Sequence, residues 1–234
     1  MNEINKENKP EKIIPLDRIS NSNQDPNERY YKYLGVLLDE NFTLNNHFDH
    51  LCKKLSKGLF CLSRAKNFLN TKALKTLYFA LIHAQLQYCT LILSSSSANN
   101  IKRVLILQKK AIRIISHANY NDHTVPLFLT YGILPFDKIL YFNKMRFMHG
   151  LIHGYNVRTF ANTWPINAHR NLEVNLRNQN ELILPFPRFE GFKRFPLYDF
   201  AKNWNELGPM KLTPNPTTFT VWLKNEIFRQ LIEH

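Results

Sequence analysis

The chain has no acidic residue over the 72 positions from residue 50 to residue 121, although this stretch contains twelve lysines and arginines. A solvated helical face that serves solubility normally interleaves both signs and gains ion pairs from doing so. A stretch whose charges are all positive lacks these stabilising ion pairs, and this predicts a polyanionic partner. Nucleic acid is the first candidate, and an acidic membrane surface is the second.

Proline is absent where the charge is concentrated, and the whole chain has only three cysteines. No proline occurs in residues 48–125, which favours long helices there. The three cysteines form no CxxC pair, so the sequence indicates neither a disulfide framework nor a zinc site. Together with a start that has no apolar signal region, this predicts an intracellular protein of the cytoplasm, the nucleus or both.

The candidate membrane span is short. Residues 77–93 carry no charged side chain over 17 positions, but they include His83, Gln85 and Gln87. A bilayer requires roughly 20 predominantly apolar residues. The segment therefore predicts a buried helix, and we expect no membrane partner.

The sequence predicts a mostly helical fold with a short N-terminal β element. Residues 1–29 are rich in Asn, Lys and Pro, which predicts a polar tail or the remnant of a preceding domain. Residues 30–38 predict a strand with Gly35 at its centre, followed by a turn at residues 39–41. Residues 30–43 are therefore the expected β element.

Three helices are predicted within residues 44–122. The first begins near Thr43 or Asn45 with Asp49 in its first turn, and Asn70 or Thr71 caps the second, which runs to a polar break at residues 94–97. The third covers about residues 99–116. Residues 123–234 predict helices at 123–131, 136–151 and 217–232, with loops and short extended pieces over residues 156–196.

Helical phasing places the cations on outward faces. At 100° per residue, the apolar side chains of the first and third helices share one arc and the basic side chains share the opposite one. These cations are expected to contact the phosphates of a duplex without reading its sequence, although a solvated face that happens to be cationic is the alternative. The predicted phosphate-contacting residues are Lys53, Lys57, Arg64, Lys102, Lys109, Lys110 and Arg113.

We predict neither a catalytic residue nor a metal site. His47, Asp49 and His50 fall within one helical turn, but they do not complete a tetrahedral ligand set. The other histidines predict helix-lining residues, because no oriented base or glycine-rich oxyanion loop accompanies them.

An aromatic stretch at residues 184–200 has two interpretations. Its phenylalanines alternate with Arg188, Lys193 and Arg194, a pattern that suits stacking on unpaired bases. The alternation of Pro and Phe equally suits a strap that packs against a helical surface. We favour the strap.

Several segments occur in an order and spacing that resembles the region after the catalytic palm in reverse transcriptases of non-LTR (LINE, jockey-like) retrotransposons. They are YKYLGVLLDEN (31–41), CKKLSKGL (52–59), LYFALIHAQLQYC (77–89), LQKKAIRII (107–115), HTVPLF (123–128), ILPFDKI (133–139) and WNELG (204–208). The resemblance covers roughly residues 30–225. Many relatives carry an aromatic and a glycine where this chain has Leu93 and Ser94, and proline where it has Gly208.

The resemblance implies a placement for each part of the chain. Tyr33, Leu34 and Gly35 would belong to the primer-grip hairpin, residues 44–122 would form the basic thumb, and residues 123–234 would form the C-terminal region. The implied partners are an RNA/DNA hybrid or duplex nucleic acid and a palm domain supplied upstream or in trans.

The resemblance also implies an incomplete polymerase. RNA-directed DNA polymerases of this family hold two Mg²⁺ ions with carboxylates that include an Asp-Asp pair. This sequence contains no Asp-Asp pair. We therefore expect a truncated reverse transcriptase that binds primer-template but is inactive alone, with no cofactor of its own. The alternatives are a helical protein-interaction module and a decayed element copy without selected function.

Overall fold

The computed structural model describes residues 30–155, 160, 163–165 and 181–233. Within these residues the fold is mostly helical, and a two-stranded antiparallel sheet precedes the helices, which confirms the predicted fold class. The strands are β1 (Tyr30–Tyr33) and β2 (Val36–Asp39). The α-helices are α1 (Asn45–Ala65), α2 (Thr71–Tyr78), α3 (Ala84–Gln87), α4 (Thr90–Leu93), α5 (Ala98–Ile115), α6 (Thr124–Tyr131), α7 (Phe136–Ile152), α8 (Pro196–Glu206) and α9 (Pro216–Glu233).

The stretch predicted as one strand is a hairpin. Leu34 and Gly35 have φ angles of 44° and 81°, so both adopt the left-handed conformation that a tight two-residue hairpin turn requires. Tyr33 pairs with Val36, and the register continues to the Tyr30–Asp39 pair. Val36 and Leu37 on β2 are buried, whereas β1 is largely exposed.

Asp39 organises the turn that leads from β2 into α1. Its carboxylate accepts hydrogen bonds from the backbone N–H groups of Asn41 (3.0 Å), Thr43 (2.9 Å) and Leu44 (3.0 Å), and from the Thr43 hydroxyl (2.7 Å). Burial raises the pKa of Asp39, but these hydrogen bonds hold it below its ordinary value. The backbone donors ahead of α1 are therefore satisfied by a side chain of the preceding strand.

The predicted second helix is interrupted. Asn70 caps α2 as expected, because its side chain accepts a hydrogen bond of 2.9 Å from the Ala73 N–H. The chain then passes through a π-helical turn (Phe79–His83) and α3, and it breaks where Tyr88 is extended and Cys89 is left-handed, with φ at 52°. The break directs the Tyr88 hydroxyl to the carbonyl oxygen of Leu34, to which it donates.

The core joins two groups of helices through α7. Helices α1, α2 and α5 pack together, and α7 packs on α4 and α5 while α8 and α9 pack on α7. Buried side chains form one continuous cluster from Val36 on β2 to Ile227 on α9. The predicted helices at residues 99–116, 123–131, 136–151 and 217–232 correspond to α5, α6, α7 and α9 within one residue at each end.

Helix α8 was not predicted from the sequence. Its buried residues Phe200, Ala201 and Trp204 have helical spacing, and Pro196 occupies its first turn. A 3₁₀ turn (Glu190–Arg194) precedes it, and a second (Pro209–Leu212) follows it. The predicted tail at residues 1–29, and most of the loop predicted over residues 156–196, lie outside the described residues.

A helix that crosses a bilayer must be long and apolar, and the described part of the chain contains several long helices. No single helix there is long and apolar enough to cross a bilayer. The pair α6 and α7, which is bent by 47°, meets the criterion of length and composition when the two helices are taken together.

Candidate nucleic-acid interface

The predicted cations of α1 lie on its outward face. Leu51, Leu55 and Leu62 are buried on the inner side of this helix, and Lys53 and Lys57 are exposed on the other. They line an open groove on the surface of α1. The charged and titratable residues of the groove are Asp49, His50, Cys52, Lys53, Lys54 and Lys57 of α1, together with Arg103 of α5.

The hairpin adds a cation that sequence reasoning missed. The pKa of His50 lies below its ordinary value because partial burial and the charges of Lys54, Lys32, Lys53 and Lys57 all disfavour the imidazolium form. Lys32 is on β1, so the positive charge around His50 comes from two elements. We refer to Lys32, His50, Lys53, Lys54 and Lys57 as the hairpin–helix cluster.

Asp49 supplies a negative charge at the edge of this cluster. Its carboxylate accepts a hydrogen bond of 2.5 Å from Arg103 of α5, which makes an ion pair between the two helices. The prediction that Asp49 lies in the first turn of α1 is wrong, because α1 begins at Asn45 and Asp49 is its fifth residue. The role of Asp49 is therefore an interhelical one.

The predicted cations of α5 have different surroundings. Lys102 and Lys110 are exposed, and Lys109 is half-buried. Arg113 donates from Nε (3.0 Å) and Nη2 (2.9 Å) to the carbonyl oxygen of Asp122, and its guanidinium lies 5.9 Å from the Tyr120 ring centroid. Arg113 thus closes the loop between α5 and α6, a role that its spacing along α5 does not reveal.

Arg64 lies at the far end of the basic face of α1. It is exposed, and its guanidinium lies 5.3 Å from the centroid of the Phe60 ring. A rise of 1.5 Å per residue places it about 16 Å along the helix from Lys53. That distance corresponds to about five base-pair steps of a duplex.

The residues predicted to resemble a primer grip form the tip of the hairpin. Tyr33 is 58% exposed and Leu34 is 74% exposed. At Gly35, an added Cβ would lie 3.4 Å from the Tyr88 hydroxyl oxygen, and the positive φ would be strained for any other residue. The tip is therefore exposed on one side and held by Tyr88 on the other.

His47 attaches the hairpin to α1. Its ring is buried, and Nδ1 accepts a long hydrogen bond of 3.4 Å from the Leu37 N–H. Burial lowers the pKa of His47, and the nearby His50 and Lys54 lower it further. Among the described residues, no group of three His, Cys, Asp or Glu side chains is placed to hold a metal ion.

Two further histidines also have structural contacts. His149 Nε2 donates to the Thr213 carbonyl oxygen (2.7 Å), and His153 Nε2 donates to that of Lys211 (3.0 Å). The two bonds join the C-terminal end of α7 and the residue that follows it to the segment that precedes α9.

The aromatic stretch does not wrap the bundle as we expected. Phe186 is 88% exposed, Phe189 is 66% exposed and Phe195 is 59% exposed. Phe200, at the end of the stretch, is buried because it lies on the inner face of α8. The strap interpretation is therefore wrong for the three exposed rings, and stacking on bases stays a prediction for them.

The described residues form a helical protein with a cationic cluster where a β-hairpin meets its first helix. Comparison of the chain with protein-family models, with curated proteins and with solved structures gives no match.

Proposed function

We propose that this chain binds an RNA/DNA hybrid or a duplex through the phosphate backbone, as the thumb and C-terminal region of a non-LTR retrotransposon reverse transcriptase. The observation that carries the proposal is the hairpin–helix cluster, which gathers exposed lysines from β1 and α1 in a part of the chain that has no acid between residues 50 and 121. The acid at its edge, Asp49, is paired with Arg103. The cluster therefore keeps a net positive field, which attracts polyanions.

The proposed contacts are made to phosphates, so binding should not depend on the base sequence. Lysine ammonium groups on flexible stems bind phosphates as point charges and tolerate any sequence. If five or six cations of the basic face contact phosphates, the affinity should fall with salt at a log–log slope of about −4 to −5.

The assignment to a reverse transcriptase rests on the order and spacing of the segments at residues 31–41, 52–59, 77–89 and 107–115. The hairpin followed by a basic helical bundle agrees with the placement that the resemblance implies. The proposal gives this chain no catalytic residue. Polymerisation would need the metal-binding aspartates of a palm, and Mg²⁺ would belong to that domain.

The proposal is tested by fluorescence anisotropy with a labelled RNA/DNA hybrid over a series of salt concentrations. We expect saturable binding at low salt with the slope given above. The charge-reversal variant Lys53→Glu/Lys57→Glu should abolish binding and keep the helical circular dichroism signal. Absence of binding at low salt, or binding indifferent to salt, overturns the proposal.

A matched control separates local charge from net charge. Lys202 on α8 and Lys224 on α9 are exposed and lie outside the basic stretch. The variant Lys202→Glu/Lys224→Glu changes the net charge by the same amount, and we expect it to bind almost as well as the parent chain. Equal losses in both double variants would mean that the interface is not on α1.

A second candidate function is docking of a protein partner at the hairpin. Tyr33, Leu34 and Phe42 are 58%, 74% and 72% exposed, which places apolar surface beside the cluster. The test is a pull-down with a palm domain of this retrotransposon class. Phe42→Asn removes apolar surface and tolerates the positive φ of this position, so it should weaken capture of the palm and leave hybrid binding intact. Equal capture by both proteins removes this candidate.

A further inference from the structure

His50 occupies the middle of the hairpin–helix cluster. Residues three and four positions apart are neighbours on a helical surface, which places Lys53 and Lys54 beside His50, with Lys57 one turn further along. Lys32 approaches from β1 and contributes to the electrostatic potential at the His50 ring. His50 is exposed on the groove surface, so an anion that reached these lysines would also meet the imidazole.

The other charged and titratable groups near His50 do not neutralise this field. On α1 they are Asp49, Cys52 and the buried His47, and on α5 the nearby cation is Arg103. Asp49 is bound to Arg103 at 2.5 Å, so its negative charge is shared with a guanidinium from the neighbouring helix. The hairpin contributes Lys32. The imidazole is therefore held next to several ammonium groups from two elements.

We infer that His50 is a phosphate-contacting residue at the centre of the hairpin–helix cluster, and that binding of a nucleic-acid backbone there takes up one proton onto its ring. The inference rests on the proposed function and deepens it, because it names the contact set at the junction of β1 and α1. It adds Lys32, Lys54 and His50 to the cations predicted from helical spacing.

The electrostatic potential at the His50 ring would change when a phosphate binds. Without an anion, partial burial and the surrounding lysines hold the pKa of His50 below its ordinary value. A phosphodiester at the cluster would bring a negative charge against the same ring and favour the imidazolium. The protonated ring would then have two N–H donors for phosphate oxygens, in place of one donor and one acceptor.

His47 differs from His50 because its ring is buried. It lies one turn earlier on α1 and its pKa is also lowered, but its ring is buried and its Nδ1 accepts the Leu37 N–H. A protonated His47 would lose that acceptor. The exposed ring of His50 can therefore gain from protonation when a phosphate is present, whereas the buried ring of His47 cannot.

The experiment measures the Kd of the full chain for a labelled RNA/DNA hybrid by anisotropy at constant ionic strength, between about pH 8 and about pH 6. One linked proton tightens binding by at most about tenfold per pH unit, and we expect a several-fold gain over this range. His50→Gln should lose most of the gain in affinity that the parent chain shows between about pH 8 and about pH 6. His50→Lys should bind tightly at both pH values.

Two controls complete the design. His123→Gln removes an exposed histidine outside the cluster and should keep the full pH response. Lys32→Gln should reduce the salt slope by about one, because it removes one phosphate contact. A histidine NMR titration gives an independent readout, in which the His50 resonance alone should show a raised pKa when the hybrid is added.

The outcomes distinguish the two proposals. If the parent chain binds no hybrid at low salt, the proposed function fails. If it binds with the expected salt slope but His50→Gln keeps the parent pH response, the inference about His50 is wrong and the proposed function stands.

Discussion

Lys144 of α7 and Asp199 of α8 form an ion pair 2.5 Å long, and the Lys144 side chain is only 9% exposed. Asp199 also accepts a hydrogen bond of 2.9 Å from the Asn203 side chain, and the Lys144 ammonium lies 5.7 Å from the Phe200 ring centroid. A charge so far from water depends on its partner. This pair therefore fixes α8 on α7.

Removing the acid from this pair should destabilise the fold strongly. Asp199→Ala leaves a buried ammonium without a counter-charge, and we expect a loss of about 3–5 kcal/mol in the free energy of unfolding. Urea denaturation followed by circular dichroism measures it. On the same helix, Lys202 and Glu206 form an exposed pair at 3.9 Å, so Glu206→Ala should cost at most about 1 kcal/mol. Similar losses for the two variants would contradict the role given to Lys144.

Gly58 lies where α1 packs against the π-helical turn (Phe79–His83). A Cβ at this position would lie 2.8 Å from Ile82 Cδ1 and 3.3 Å from the Leu81 carbonyl oxygen. Gly58→Ala gains about 0.5–1 kcal/mol from helix propensity, but overpacking costs more, so we expect a net loss of about 1–2 kcal/mol.

Chemical denaturation of Gly58→Ala, Ser63→Ala, Ile82→Val and the double variant Gly58→Ala/Ile82→Val tests the Gly58 contact. Ser63→Ala, at an exposed site on the same helix, should be neutral or slightly stabilising. Ile82→Val removes the methyl group that the new Cβ would meet, so adding Gly58→Ala to it should cost less than adding it to the parent chain. An equal cost in both backgrounds would mean that the contact with Ile82 is not responsible.

Stability should fall in mild acid because His47 is buried in its neutral form. Its pKa in the folded chain lies below its ordinary value, so the unfolded chain binds the proton first, near about pH 6.5. The stabilisation is fully present above that pH and is lost as the pH falls through the folded pKa. His47→Gln keeps an acceptor for the Leu37 N–H and does not titrate.

The measurement compares urea unfolding at about pH 7.5 and about pH 5.5, on either side of the ordinary histidine pKa. The variant should lose less stability on acidification than the parent chain. Part of the pH dependence should remain, because burial also lowers the pKa values of His83 and His149. An unchanged pH dependence would mean that His47 is not protonated on unfolding in this range.

Features with a local cause were predictable from the sequence. Asn70 caps α2 through the backbone three residues ahead, and Ser97 accepts a bond from Asn100 in the same way at the start of α5. The buried positions Val104, Ala111 and Ile112 follow the helical period. Each of these depends on residues within two turns, so spacing alone is sufficient.

Features that depend on tertiary contacts were not predictable in the same way. The turn at Leu34 and Gly35 places a leucine at positive φ, and leucine is not a typical turn residue. The break after α3 follows no proline or glycine, but it lets Tyr88 reach Leu34, 54 positions earlier in the chain. Lys32 joins the candidate site for the same reason, because only the packing of the hairpin on α1 brings it near His50.

Gln108 is a buried polar residue whose position was predictable from the sequence but whose hydrogen-bond partners were not. Helical phasing places it among apolar residues on the inner face of α5, and it is fully buried. Its amide donates to the Tyr78 hydroxyl and to the Leu134 carbonyl oxygen, each at 2.9 Å, which joins α5 to α2 and to the segment before α7. The position was predictable, whereas the two partners required the packed structure.

Hydrogen bonds attach the hairpin to the bundle at the Leu34 carbonyl, bound by Tyr88, and at the Leu37 amide, bound by His47. A segment fixed in this way has already lost most of its conformational entropy in the absence of any partner. Contact with a ligand then requires little further ordering of the backbone that carries Lys32, and preorganisation of this kind raises affinity without adding contacts. If the chain binds nucleic acid as proposed, weakening either attachment should therefore reduce affinity, although neither Tyr88 nor His47 belongs to the hairpin–helix cluster.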